Sequence, residues 1–250
     1  MLKILVHAIL LALLLLLVVT VPTKSITNKG VHYWHPNLHQ FNHSWDWGVK
    51  CEGVEMSDDD SNVTKLPGGV IELTANANAR SGLFMNAITG GEIPFHDGYT
   101  YTLMGYWRQA ENSQNEVIDI NLQLVTNEIE YYAEIMWILN PHSPNHGKVL
   151  TRVQGIKDKI LFHVPSDHEW HFFSITVSYD LPNVLVRSVQ FDSQVTEVNH
   201  YAGVIPKTGF PDRLTLLMET TNSYTKCDPD ITTVGRSQWR DISAYAYPND

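Results

Sequence analysis

Asp97-Gly-Tyr-Thr-Tyr-Thr-Leu-Met-Gly-Tyr-Trp-Arg108, followed by Val117-Ile-Asp-Ile-Asn-Leu-Gln-Leu124, decides the fold of this chain. Both stretches alternate strictly, the pattern of a strand with one buried face. In the first, Tyr101, Leu103, Gly105 and Trp107 share one side, and Thr102, Met104, Tyr106 and Arg108 the other. In the second, Ile118, Ile120, Leu122 and Leu124 oppose Asp119, Asn121 and Gln123. One face closes a core. The other offers amide, carboxylate, guanidinium and phenol groups, the groups that bind sugars.

Outward from this pair, strand-like runs recur every dozen residues or so, separated by Gly, Pro and Asn turns. Val70–Thr74 follows Pro67-Gly-Gly69, and Gly82–Ile88 precedes Gly90-Gly91. Ile129–Leu139 ends at the turn 140–147, and Val149–Val153, Lys159–His163, Trp170–Tyr179, Val184–Phe191, Leu214–Glu219 and Trp239–Tyr247 follow. No stretch beyond the leader has helical periodicity. Many short strands with such turns predict an all-β fold, a single antiparallel sandwich. The stretches 26–50 and 192–212 read as long loops or insertions. With no linker or internal repeat, residues 26–250 form one domain behind a leader at 1–25.

The charge balance excludes one class of partner. With 27 acidic against 17 basic residues and no basic stripe, the chain lacks what nucleic acid or an anionic membrane surface requires. Lys3 and the apolar run from Ala8 to Val21 read as a secretory signal peptide ending near Ser25, or as an uncleaved signal anchor that tethers the chain to a membrane. Either reading puts the domain outside the cytosol, and the first makes it secreted. Cys51 and Cys227 are then one disulfide or two free thiols; a bridge closing so long a loop stabilises by about 5 kcal/mol in the chain-entropy model. Asn42-His-Ser44 and Asn62-Val-Thr64 are glycosylation sequons.

Several segments together resemble a known family. They are Trp45-Asp-Trp47-Gly-Val-Lys-Cys51-Glu, Gly69–Leu73, Asn78-Ala-Arg80-Ser-Gly82, Asp97–Leu103, Glu169-Trp170 and Trp239-Arg-Asp241-Ile-Ser. The pattern is similar to the CenC-type carbohydrate-binding modules attached to animal and bacterial xylanases, over roughly residues 40–245, and is carried by spacing more than by identity. The resemblance implies a β-jelly-roll with a shallow groove on its concave sheet, an arginine at the groove matching Arg80, and one structural calcium ion near the terminal strands. Asp241 is the matching calcium ligand, with Glu52 and Glu55 as partners from the N-terminal side. The chain departs from the family in three places: the segment 192–232 is longer, the two cysteines are not a general feature, and Asp250 ends the sequence where the family usually continues into a catalytic barrel.

Read from the residues, the polar face of the two opening strands is the candidate groove, against the alternative of an ordinary solvated sheet. Tyr106 and Tyr132 are placed to stack on the C–H faces of a pyranose. Arg108, Asp119, Asn121, Gln123 and Glu134 are the hydroxyl partners. The phase of Tyr131–Trp137 is open, because no turn fixes it. Catalysis would need two carboxyls about 5–5.5 or 6.5–9.5 Å apart. Glu116 and Asp119 point to opposite faces, while Glu128 and Glu130, two apart, stand roughly 6.6–7 Å from one another by strand rise. The histidines of His32–His43 have irregular spacing, and Pro36 prevents the helix that would align them on a metal. No Gly-x-Ser-x-Gly elbow, phosphate loop or dinucleotide fingerprint occurs. The sequence therefore leads to non-catalytic binding of a β-glycan. A jelly-roll glycan hydrolase or lyase, and an extracellular protein-interaction domain that lost its sugar site, stand as alternatives.

Overall fold

A run that alternates over eleven residues satisfies both water and a core only where one face of its pleat is covered. In the computed structural model of the protein, the cover is a second sheet. The structure describes residues 32–35, 38, 44–48, 62–75, 79–85, 93–94, 96–113, 117–125, 130–153, 159–180, 183–204, 213–221 and 234–249, all within the unit His32–Asp250.

Sheet A runs, in spatial order, β14 (Gln194–Val204), β13 (Asn183–Phe191), β12 (His171–Asp180), β7 (Tyr99–Gln109), β16 (Gly235–Pro248), β4 (Val70–Ala75) and β3 (Asn62–Leu66); β1 (His32–Trp34) also pairs with β16. Sheet B runs β11 (Lys159–His163), β10 (Lys148–Val153), β9 (Glu130–Ile138), β8 (Val117–Val125), β15 (Arg213–Thr221), β5 (Ala79–Met85) and β2 (Ser44–Gly48), with β6 (Ile93–Pro94) on β15. Every pairing among the described strands is antiparallel. The all-β sandwich expected from the periodicity is the fold.

Between the sheets lie the alternate residues of each strand. β7 contributes Tyr101, Leu103 and Trp107, β12 Phe173, Ile175 and Val177, β8 Ile118, Ile120 and Leu122, and β9 Ala133, Ile135 and Trp137, all buried. Trp107 bridges the layers: its ring stacks on Trp137 of sheet B at 6.5 Å and meets Trp239 of its own sheet edge-on at 5.4 Å. Aromatic pairs in these geometries add about 0.5–1.5 kcal/mol beyond the area they bury. Gly105 is required here, because a Cβ would overlap the Ile242 side chain and come within 3.2 Å of Phe173.

Three expectations change. Residues 192–212 are not simply a loop: they contain β14, whose alternation is broken by a register shift opposite Val186–Ser188 and by Asn199 at φ 43°. The stretch 26–50 likewise holds β1 and β2. The two opening strands do not share a sheet. β7 lies between β12 and β16, and β8 between β9 and β15, so their polar faces point away from each other across the sandwich.

Among the described residues no helix is long and apolar enough to cross a membrane. The leader 1–25, Cys51, Cys227, Asn42, Glu52, Glu55 and Glu128 lie outside the described residues.

Candidate functional site

With Ala133, Ile135 and Trp137 in the core, the phase of β9 is settled: Tyr132, Glu134 and Met136 belong to the outer face of sheet B. Strand register then assembles that face. Asn121 stands opposite Glu134, Gln123 opposite Tyr132 and Asp119 opposite Met136; on the other side of β8, Glu219 stands opposite Asp119. Farther along, Arg80 pairs with Thr221, and Arg152 of β10 with Glu134. Of the eight residues expected to bind sugar, Asp119, Asn121 and Glu134 are therefore on one face, and Arg80, Gln123 and Tyr132 hold register positions in line with them by backbone pairing.

An outward side chain on an open sheet is solvated, yet here Asp119 is 1%, Glu134 3% and Asn121 6% exposed. The centre of the face is buried. Asn121 Nδ2 donates to Asp119 Oδ2 at 3.0 Å, and Arg152 Nη1 approaches Glu134 Oε2 at 3.8 Å. Beside these charges lies a small apolar cluster of Val117, Met136 and Leu150, with Ile138 packed on it. The centre of the face thus sets buried aliphatic groups next to desolvated carboxylates and an amide, with the partly exposed Arg152 guanidinium beside them.

Tyr106 and Arg108 are on the opposite side of the molecule, on the outer face of sheet A. There they belong to a ladder of rings and cations. Arg108 lies over the Trp170 ring at 4.6 Å, and Arg240 lies at 4.4 Å from Trp170 and 5.3 Å from Tyr106. Tyr106 also meets Phe172 edge-on at 5.4 Å. Arg108 Nε donates to Gln238 Oε1 at 2.7 Å, and Gln238 Nε2 donates to Glu72 Oε2 at 2.7 Å. These contacts occupy both residues in holding β7, β12 and β16 together.

Asp241 occupies a bulge in β16 with φ 54°, its side chain exposed and 3.7 Å from Arg240 Nε. Among the described residues no group of three His, Cys, Asp or Glu side chains is close enough to hold a metal ion. Asn62 begins the edge strand β3, and Thr64 of its sequon is exposed. Glu130 opens β9 opposite Val125. Sequence reasoning missed Glu219 and Arg152, which join the site only through strand pairing, and Trp170, whose two cationic partners come from different strands.

No family model matches the chain, and no curated protein matches it. Solved structures match in fold. A double mutant of the alginate lyase Aly36B in complex with alginate tetrasaccharide superposes with a TM-score of 0.52 at 9% identity, over 74% of this chain and 84% of that one. Basic winged bean lectin with Tn-antigen gives 0.51 at 9% identity, over 88% and 100%. At such identity the likeness shows the fold alone, a jelly-roll sandwich found in a lectin and in a lyase. The fold implied by the carbohydrate-binding-module resemblance is met at that level, with no family match to carry the finer assignment.

Proposed function

We propose that this chain is a secreted, non-catalytic glycan-binding sandwich, with its site on the outer face of sheet B. The observation that supports this reading is the placement of the Val117–Met136–Leu150 cluster beside Asp119, Asn121 and Glu134. A pyranose has an apolar C–H face and a rim of hydroxyls, and aliphatic groups set beside polar ones match both. The aliphatic groups and Tyr132 take the ring, while Asn121, Gln123 and the carboxylates orient the hydroxyls. A structural calcium at Asp241 belongs to the same proposal. Hydrogen bonds to such groups contribute about 1–2 kcal/mol, so Asn121→Ala should weaken binding about tenfold. A glycan array probed with the native protein, with and without EDTA, and with Asn121→Ala tests ligand and ion together. Silence of the native protein on every glycan overturns the reading.

A second reading, a glycan-cleaving enzyme, has one observation in its favour. The register sets Glu219 opposite Asp119, and residues so paired have Cβ atoms about 4.5–5.5 Å apart. Acid–base work on a glycan needs two carboxyl-bearing residues near one another, and this pairing brings two such positions together. Release of new reducing ends or unsaturated products from a polysaccharide, lost in Glu219→Gln, would select this reading.

A further inference from the structure

We propose that the outer face of sheet A carries a second saccharide site, for a short neutral oligosaccharide, so that the domain engages glycans from both sides. The site is a groove of about 580 Å³, within the roughly 300–1,000 Å³ usual for small-molecule sites. One row of cross-strand neighbours runs through it: Tyr245, Thr102, Thr176, Ser188 and Glu197, contributed by five adjacent strands. The groove floor is hydroxyl. Thr102 and Thr176 share a hydrogen bond of 2.9 Å, and Thr100 one of 2.5 Å with Ser178.

One wall is aromatic. Tyr245 and Tyr247 stand side by side, ring centroids 6.0 Å apart and planes within 22°, and Tyr33, opposite Tyr245 in register, is 70% exposed. The stacked phenol rings of Tyr245 and Tyr247 give a sugar a shelf for its C–H face. The other wall is polar. Arg187 sits where β12 and β13 slip register, and its Nε donates to Ser178 Oγ at 2.8 Å. Among the described residues its terminal nitrogens have no partner, and neither does the Glu197 carboxylate. Both line the groove without pairing with each other.

These two charges select the ligand class. An anionic sugar meets Glu197 and a cationic one meets Arg187, whereas a neutral polyol accepts from the guanidinium and donates to the carboxylate. The groove stands on its own residues and does not depend on sheet B.

The test is calorimetric titration of the full chain, expressed in a secretory host, with xylotriose, cellotriose, mannotriose and an acidic alginate trisaccharide. At least one neutral trisaccharide should bind, and R187A/E197A should weaken it at least tenfold. Both residues are exposed, so the variant should keep the native melting profile; Tyr245→Ala should weaken the same ligand through the shelf. The inference is overturned if no neutral trisaccharide binds, if only the acidic one does, or if R187A/E197A binds as the native protein does. Loss in Asn121→Ala alone would overturn the groove while leaving the sheet B reading in place. Loss in R187A/E197A with Asn121→Ala still binding would uphold the groove and count against sheet B.

Discussion

At the scale of single residues, the core holds two phenols that water cannot solvate as anions. Tyr101 and Tyr179 meet edge-on at 5.5 Å, both about 1% exposed. Burial pushes the Tyr101 hydroxyl up from 10.0 to about 12, only partly offset by the His96 N–H that donates to its oxygen at 2.6 Å. Tyr179 is pushed further in the same direction by burial, with its neighbour adding to the effect. In the unfolded chain both ionise near 10, so between pH 10 and 12 the unfolded state has lost protons that the folded state retains. The stability that these two phenols contribute is therefore full below pH 10 and is lost as pH rises toward 12 and beyond. Two pH units at one site correspond to about 3 kcal/mol. Tyr101→Phe keeps the ring and removes the ionisation, so its urea-denaturation free energy should fall by about 3 kcal/mol less than the native value over that window. An equal fall in both proteins would show that Tyr101 is solvated. Gly105 makes a steric prediction of the same scale: Gly105→Ala should cost about 1–3 kcal/mol, read from the same denaturation curves, because Ile242 and Phe173 must both give way.

At the scale of elements, alternation identified β7, β8, β9, β12, β13 and β16 but not which strands are neighbours. Period-2 patterning says which residues share a face within one strand and nothing about the sheet to which that strand belongs. The two opening strands are adjacent in sequence and in opposite layers, so an eight-residue candidate site divides into six residues on sheet B and two on sheet A. The segment of β14 was illegible for a different reason: bulges and a left-handed Asn199 break its period, and only pairing with β13 restores it. The Tyr106 and Arg108 placement carries its own prediction. Trp170→Ala removes the ring between Arg108 and Arg240 and should lower stability by about 2 kcal/mol, roughly two cation–π contacts and the lost ring contact. It should leave the glycan affinity proposed for sheet B unchanged. A variant of native stability would mean that the ladder holds nothing, and a weakened sheet B affinity would mean that the two faces communicate.

At the scale of the whole molecule, the strand order sets how the fold can form. Sheet A consists of β14, β13, β12 and β7 on one side of β16, and β4 and β3 on the other, with β1 also on β16. Among the described strands, nothing except the last one in sequence joins these blocks. β16 pairs with β7 from Ser237 to Pro248, with β4 from Gly235 to Trp239, and with β1 from Ala244 to Ala246. It also delivers Trp239, Ile242, Ala244 and Ala246 to the core, and Asn249 closes the end by bonding Gly98 and Tyr179. No gradual assembly from the N-terminus can complete this sheet, since loop-closure entropy must be met before the non-local pairings return anything. A chain cut after Val234 keeps every strand of sheet B and most of sheet A, yet it leaves two unpaired edges and an open core. It should show no cooperative thermal transition by circular dichroism, and its tryptophan emission should lie at the position of solvated indole. A sharp transition in the truncated chain would mean that the β4 and β7 edges can close on each other without β16, and that the central place of the last strand is not what holds the sandwich together.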